Sequence, residues 1–274
     1  MTAHVDVIDL ISRLKAAEEA FVLATVVRTV SVTAAKAGAK AVIRADGTIA
    51  AGWIGGGCAR GAVLKAAREA LADGVARLVS VQPENLLAEL GVSPGESREG
   101  VRFAKNMCPS EGTMDIFIEP VLPQPSLVIL GASPVAMALA SQARPLGFHV
   151  TLAAPAEDRP GTPDADRVID GFAVDGLQEA RRFVVVSTQG RGDKAALTAA
   201  LGIAADTHAF VGSRRKMAAL RQTLAAEGAD PAALARVKAP AGLDLGAITP
   251  EEIALSILAE IVQARRRGQR EGGG

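Results

Sequence analysis

The apolar positions of this chain follow two different regimes. In the first part, helical and strand patterns come in irregular succession. Val7, Leu10, Ile11, Leu14 and Phe21 form one apolar stripe, which predicts an amphipathic first helix. Phe21 to Val27 is apolar and rich in Val, as buried strands are. Lys40 to Arg44 and Thr48 to Trp53 flank Asp46-Gly47, predicting a hairpin with a two-residue type I′ turn. Val63, Ala66, Ala67, Ala70 and Leu71 recur at helical spacing, with Lys65, Arg68, Glu69 and Asp73 opposite. A strand is predicted over Arg77 to Val81. Pro83 to Gly112 has weak periodicity and reads as a long loop with one short helix near Leu86 to Leu90; loops this long are usually functional or disordered. Thr113 to Glu119 alternates, with Met114, Ile116 and Ile118 on one face.

Pro120 to Pro125 reads as a linker, because proline stops both helix and central-strand pairing. Beyond it the pattern becomes a regular alternation of strand and helix. Strands are predicted at Leu127 to Leu130, Phe148 to Ala153, Val168-Ile169, Phe183 to Ser187 and His208 to Val211. Helices are predicted from Pro134 to about Leu146, Lys194 to Leu201, and Ser213 to Ala226. Thr249-Pro250-Glu251-Glu252 is a capping box with Pro at the first helical position. It opens a helix with Ile253, Ile257, Leu258, Ile261 and Val262 inward and Arg265 to Arg267 in its last turn. The fold class is therefore α/β: a small mixed N-terminal domain over residues 1–122, then a Rossmann-like doubly wound domain over 126–267. The glycine-rich tail, 268–274, is expected to be disordered.

Composition narrows the function. With 274 residues, 49% hydrophobic, the chain can bury two ordinary cores. Lys and Arg balance Asp and Glu at 30 each, and there is no tyrosine, which argues against nucleic acid as a partner. No apolar run is long enough for stable membrane insertion. Cys58 and Cys108 are the two cysteines; two are no disulfide framework, and free thiols suit a reducing cytoplasm. The histidines, His4, His149 and His208, fall in no motif.

Chemistry concentrates at Ile54-Gly55-Gly56-Gly57-Cys58. Three glycines allow positive φ and close approach to a ligand. They lead into the second helix, where free N–H groups and the helix dipole favour anions. The same place favours thiolate over thiol. A bland reading fits the segment equally: a turn before a helix, with Cys58 as a small apolar filler.

The second half carries Gly131-x-Ser133-x-x-Ala136 after a strand and opening a helix. This is the place of a dinucleotide fingerprint, but Ser133 replaces the second glycine. Pro134 fits the first helical turn, and Ser133 could offer its hydroxyl to a phosphate instead. Ala153-Ala154-Pro155 stands where a ribose-binding acid would, so NAD is disfavoured. Ser187 to Asp193 and Gly212 to Lys216 follow strands and are expected over the same crevice, offering hydroxyls and cations to a phosphorylated ligand.

Taken in order, these segments resemble the XdhC/CoxI family of molybdenum-cofactor maturation proteins. The resemblance rests on Thr33 to Ala41, Asp46-Gly47, Gly52 to Cys58, Cys108-Pro109-Ser110-Glu111-Gly112-Thr113, Phe117 to Pro120 and the Gly131 turn. It continues through Val211 to Lys216, Gly242-Leu243-Asp244-Leu245-Gly246 and Thr249 to Ala254. The Thr-Ala-Ala-Lys block and the Cys108 loop look more like the carbon monoxide dehydrogenase accessory branch (CoxF/CoxI-like) than the xanthine dehydrogenase branch. The resemblance implies a chaperone more than a turnover enzyme. It would bind molybdopterin or, in the preferred reading, molybdopterin cytosine dinucleotide, assist sulfuration and insert the cofactor into an apo-molybdenum hydroxylase. A cysteine desulfurase and a cofactor cytidylyltransferase are implied further partners, copper a second candidate metal, and a homodimer the implied assembly. On that reading Gly55, Gly56 and Gly57 cradle the cofactor with Lys36 and Lys40 neutralising charge. Cys58 and Cys108 touch the metal or relay sulfur, and Gly131, Ser133, Pro134, Gly212, Ser213 and Asp244 hold the nucleotide end. Gln189 stands where relatives often have histidine. Two alternatives stay open: an NAD(P)-binding oxidoreductase, and a docking scaffold with a vestigial nucleotide site.

Overall fold

A computed structural model describes residues 6–107, 111–177 and 180–270, without the side chains of Cys58 and 267–270. Two compact units divide between Pro123 and Gln124 and again between Arg266 and Arg267, the chain from Arg267 grouping with the first.

The first unit is built on a seven-stranded sheet in the order β3-β2-β1-β7-β4-β6-β5. Its strands are β1 (Phe21–Val30), β2 (Lys40–Arg44), β3 (Ile49–Gly52), β4 (Arg77–Gln82), β5 (Ser97–Arg98), β6 (Val101–Lys105) and β7 (Thr113–Val121). Pairing is antiparallel except between β4 and β6. Helix α2 (Gly57–Asp73) lays Val63, Ala66, Ala67 and Ala70 on one sheet face, against Val22, Ala24, Val79, Met114, Ile116 and Ile118. Small side chains along α2 bring its backbone close to the sheet. Helix α1 (Val7–Ala16) packs Leu10 and Leu14 against Phe21 and Val42 in a separate cluster. Phe21 thus belongs to the strand; it joins the predicted stripe through packing rather than through the helix.

Two expectations change here. The Asp46-Gly47 hairpin is not a type I′ turn. Arg44 accepts from Gly47 N and donates to Thr48 O, and only Gly47 has positive φ, 84°. A three-residue loop with glycine in the left-handed position results, fixed by Asp46 accepting from Thr48 N at 2.8 Å. The predicted loop 83–112 is also more ordered: after α3 (Glu84–Leu90) it contributes β5 and β6 to the sheet. Its residues alternate poorly because β6 is only half-buried throughout, so sheet pairing rather than apolar pattern defines it.

The second unit has five parallel strands in the order β10-β9-β8-β11-β12. They are β8 (Ser126–Leu130), β9 (His149–Ala154), β10 (Arg167–Asp170), β11 (Arg182–Val186) and β12 (Thr207–Phe210). Helices α4 (Pro134–Ala143) and α8 (Pro250–Arg270) cover one face, and α5 (Asp193–Leu201) and α6 (Arg214–Ala226) the other. This is the doubly wound arrangement expected. A short α7 (Pro231–Arg236), capped by Asp230, was not legible in the sequence. The capping box of α8 forms as read: Thr249 Oγ1 accepts from Glu252 N at 3.3 Å, and Glu252 accepts from Thr249 N at 3.0 Å and Ile248 N at 2.8 Å. Helix α8 continues to Arg270, into the expected tail; 271–274 lie outside the described residues.

Candidate functional site

The start of α2 is the chemically exposed part of the first unit. Gly56 is its N-cap, no side chain caps it, and no acidic residue stands in its first turn. Gly55 and Gly57 take φ of 102° and 46°. A Cβ at Gly56 or Gly57 would meet nothing within 4 Å. A side chain added at either position would stand in open space, and the helix start lacks the carboxylate or hydroxyl cap that ordinarily satisfies its amides.

That space is a cavity of about 380 Å³. Gly56, Gly57 and Ala59 form one wall, Thr33 and Ala34 a second, and Asn106, Met107 and Gly112 a third. Val81 and Met114 close it from the sheet. Tertiary pairing holds the walls. Val32 bridges Glu111, and a Cβ on Gly112 would lie 2.3 Å from Val32 O. Asn106 Nδ2 donates to Gly112 O at 2.7 Å, tying the two ends of the 107–111 segment together. Cys108 lies inside that segment but outside the described residues; Met107 and Gly112, on either side of it, both line the cavity. The backbone of Cys58 is in the first turn of α2, with its side chain outside the description. Thr33, Asn106, Met107 and Met114 line the cavity but were not expected as site residues from sequence. The first three lie in or beside motif segments, so their position was the available signal.

The two lysines expected to balance charge are not among the described lining residues. Lys36 is exposed. Lys40 Nζ donates to Thr25 Oγ1 at 3.1 Å. Thr25 and Lys40 are register partners, and their neighbours Ala24 and Ala41 face α2, so strand alternation puts the ammonium on the opposite face.

In the second unit, a smaller crevice of about 190 Å³ opens at the carboxyl ends of the strands. Gly131, Ser133, Pro134, Asp158, Gln189 and Arg191 are among its lining residues. Gln189 sits there at φ 53°, a left-handed conformation uncommon for glutamine. The degenerate glycine turn is largely committed to the protein itself. Ser133 Oγ accepts from Ala136 N at 3.2 Å and lies 2.6 Å from Ser187 Oγ. The hydroxyl expected to greet a phosphate is thus engaged internally. Gly131 is needed for packing, since a Cβ there would stand 2.3 Å from Ser187 O. Arg191 pairs with Asp158 at 3.3 Å.

Gly212, Ser213 and Asp244 are not among the described residues lining this crevice. Gly212 makes room for the Phe210 ring, 2.4 Å from a notional Cβ. Ser213 caps α6, accepting from Lys216 N at 3.1 Å, and Asp244 is exposed. The basic cluster at 214–216 is partly neutralised, because Lys216 pairs with Asp193 at 2.6 Å. Burial alone would raise the Asp193 carboxyl; hydrogen bonds from Lys216 and Thr188 outweigh it and hold the group below its usual range. Among the described residues no group of three His, Cys, Asp or Glu could hold a metal, and no helix is long and apolar enough to cross a membrane.

Comparison with known proteins fits this division. Residues 14–82 match the XdhC and CoxI family, and residues 127–261 match the XdhC Rossmann domain. The uncharacterized protein YqeB of Escherichia coli K12 is 31% identical over 235 residues, 83% of this chain and 40% of that protein. A protein of Bacillus subtilis 168 described as a probable subunit of xanthine dehydrogenase is 31% identical over 166 residues, 57% of this chain and 47% of that one. The chain thus spans less than half the length of these curated relatives. A crystal structure of a xanthine dehydrogenase from Bacillus halodurans is 21% identical, with 94% of this chain and 95% of that one covered and a TM-score of 0.45. Fold and site define the class: a mixed-sheet unit with a glycine-started helix over a cavity, followed by a Rossmann unit. Each unit matches its own part of one family, and the chain belongs to the XdhC and CoxI family.

Proposed function

We propose that the chain is a maturation protein for a molybdenum hydroxylase, and that the cavity of its first unit receives the molybdenum cofactor. The observation that carries this reading is the meeting of the uncapped Gly56-Gly57 helix start with Asn106, Met107 and Gly112 on one cavity of about 380 Å³. The residues fit such a group. Free amides at a helix start suit an anionic ligand. Met107 and Met114 add soft sulfur, and Thr33 and Asn106 add polar side chains, while no carboxylate is among the described lining residues. The volume falls within the range of small-ligand pockets.

The bound cofactor would supply the molybdenum and its dithiolene sulfur. The chain's part is to hold it. The amides at the start of α2 would take its anionic oxygens or sulfurs, and the sheet residues Val81 and Met114 would exclude water beneath it. Cys58 and Cys108 would act as thiolates that contact the metal or pass on sulfur. The reading needs nothing from the crevice of the second unit. The named relative favours a xanthine dehydrogenase-type apoenzyme as recipient, with the carbon monoxide dehydrogenase accessory role as the narrower alternative.

The test is metal and pterin analysis of the full chain isolated anaerobically from its own host. Wild type should carry both. Cys58→Ala should retain less of both at an unchanged melting temperature. Unaltered retention together with unaltered activity of the recipient hydroxylase would overturn the role of Cys58. Protein without molybdenum or pterin, and unable to take up added cofactor, would overturn the reading as a whole.

A further inference from the structure

A second cavity, of about 370 Å³, adjoins the first within the mixed-sheet unit, and Met107 lines both. Helix α2 gives Ala59 to the first and Ala62 and Lys65 to the second. Strand β4 gives Val81 to the first and Val79 to the second. The chain of β6 gives Arg102 and Ala104 to the second before Asn106 reaches the first. The two cavities therefore follow one another along the seam between α2 and the β4–β6 pair. Arg102 is the register partner of Val79, which packs against α2, so strand alternation puts both on the helix side of the sheet.

Charge divides unequally between them. The first cavity has no charged side chain among its described lining residues. The second has Lys65 and Arg102 on the helix side and no carboxylate among its described lining residues. Lys65 is exposed and has no hydrogen bond or ion pair among the described residues. Arg102 commits one nitrogen, Nη1, to Glu69. Glu69 also stands 3.8 Å from Arg77 Nε, so one carboxylate is shared by two guanidiniums. Lys105 touches the cavity as well, but it pairs with Glu84 at 2.7 Å and is the register partner of Gln82, on the sheet face away from α2. Ala62, Val79 and Ala104 supply apolar surface beneath the two cations.

We infer that the second cavity takes the phosphate-bearing tail of the ligand whose metal end occupies the first, with Lys65 and Arg102 as its counter-charges. The inference rests on the cofactor reading of the first cavity. A phosphate ester needs cationic donors, and the first cavity offers amides and soft sulfur only. The cations next along the seam are Lys65 and Arg102. An ammonium meets a phosphate as a point charge, and a guanidinium with nitrogens left over can add further hydrogen bonds. Apolar surface beneath them lowers the local dielectric and strengthens such contacts. Lys65 lies eight residues beyond Gly57 on α2, about 12 Å at the rise of a helix. That span suits one elongated ligand lying along the seam.

The experiment compares two probes on the full chain by anaerobic equilibrium dialysis: molybdopterin cofactor released from a molybdenum hydroxylase, and the same material after removal of its phosphate by a phosphatase. Bound ligand is read as pterin fluorescence after oxidation. Wild type should bind the phosphorylated form more tightly, by about tenfold, the low end for hydrogen bonds to a charged group. Lys65→Gln keeps helix propensity at an exposed position and should remove most of that preference by weakening the phosphorylated form alone. Arg102→Lys, which keeps the charge beside Glu69, should reduce the preference less. Gly57→Ala should weaken both forms alike, because it acts in the first cavity. A phosphate preference unchanged in Lys65→Gln would overturn the proposal and leave the cofactor reading standing. Equal weakening of both forms by Lys65→Gln would overturn it too. Failure of wild type to bind either form would overturn the cofactor reading and this proposal with it.

Discussion

Gly131→Ala separates two roles that glycine can have in this chain, and its cost follows from the structure. Gly131 has φ of 119°, and an added Cβ would stand 2.3 Å from Ser187 O and 2.9 Å from Thr188 Cα. The obstructing oxygen is not free to move, since it accepts from Ser133 N at 3.3 Å while Ser187 N donates to Leu130 O at 2.8 Å. Backbone strain at such a φ costs about 1–3 kcal/mol. Overpacking against fixed backbone costs about 1–3 more. The sum, about 2–6 kcal/mol, is a large share of the stability of a domain. At about 3–4 °C per kcal/mol for a unit of this size, the second unit should melt about 6–24 °C lower. Gly57→Ala is the control. Its φ of 46° is in the left-handed region, with nothing within 4 Å of the new Cβ, so the cost should be near 1 kcal/mol. Instead, its methyl enters the cavity and should weaken cofactor retention. Urea unfolding followed by circular dichroism measures both. A Gly131→Ala protein within about 0.5 kcal/mol of wild type would refute the claim that packing, not ligand approach, requires this glycine.

Three further outcomes follow from the second unit. The Asp193 carboxyl is held low in the folded chain, so its contribution is present above the unfolded carboxylate range and lost as pH falls through the lower folded value. Urea midpoints measured from pH 6 down to roughly 3 should fall, and Asp193→Asn should show a shallower fall; parallel profiles would refute this. Thr249→Ala removes one half of the reciprocal cap of α8 and should cost about 1 kcal/mol by the same unfolding assay; no loss would mean that Glu252 alone holds the helix start. Gly212→Ala should destabilise through the Phe210 ring, 2.4 Å from the new Cβ, and a melting temperature equal to wild type would show that the ring can turn aside.

Much of the Rossmann unit was legible because its signals are local. Apolar runs such as Leu127 to Leu130 and the caps at Ser213 and Thr249 each act within a few residues. The same locality explains the misses. Strand β6 is held by pairing with β4 and carries no apolar alternation of its own. Helix α7 is six residues long, too short for periodicity to register. The hairpin turn failed on one residue, because Asp-Gly is compatible with both two- and three-residue loops, and hydrogen bonding from Thr48 to Asp46 selects between them.

For the candidate site the division is sharper. Sequence alone determined that a glycine turn enters a helix at Gly57, since backbone freedom and helical spacing are properties of adjacent residues. It also determined that the ribose acid is missing after β9. Only the tertiary structure decided which groups are available. It brought Gly56, Thr33 and Asn106 around one cavity from segments far apart in the chain. It turned Lys40 to Thr25 and Ser133 to Ser187, removing from open space two groups that composition would count as binding. It also left the hydroxyl of Thr151 buried without a partner in the second unit. The physical reason is common to all of these. A side chain's type is written in the sequence, but whether its polar atom is already satisfied depends on what long-range packing places within about 3 Å of it.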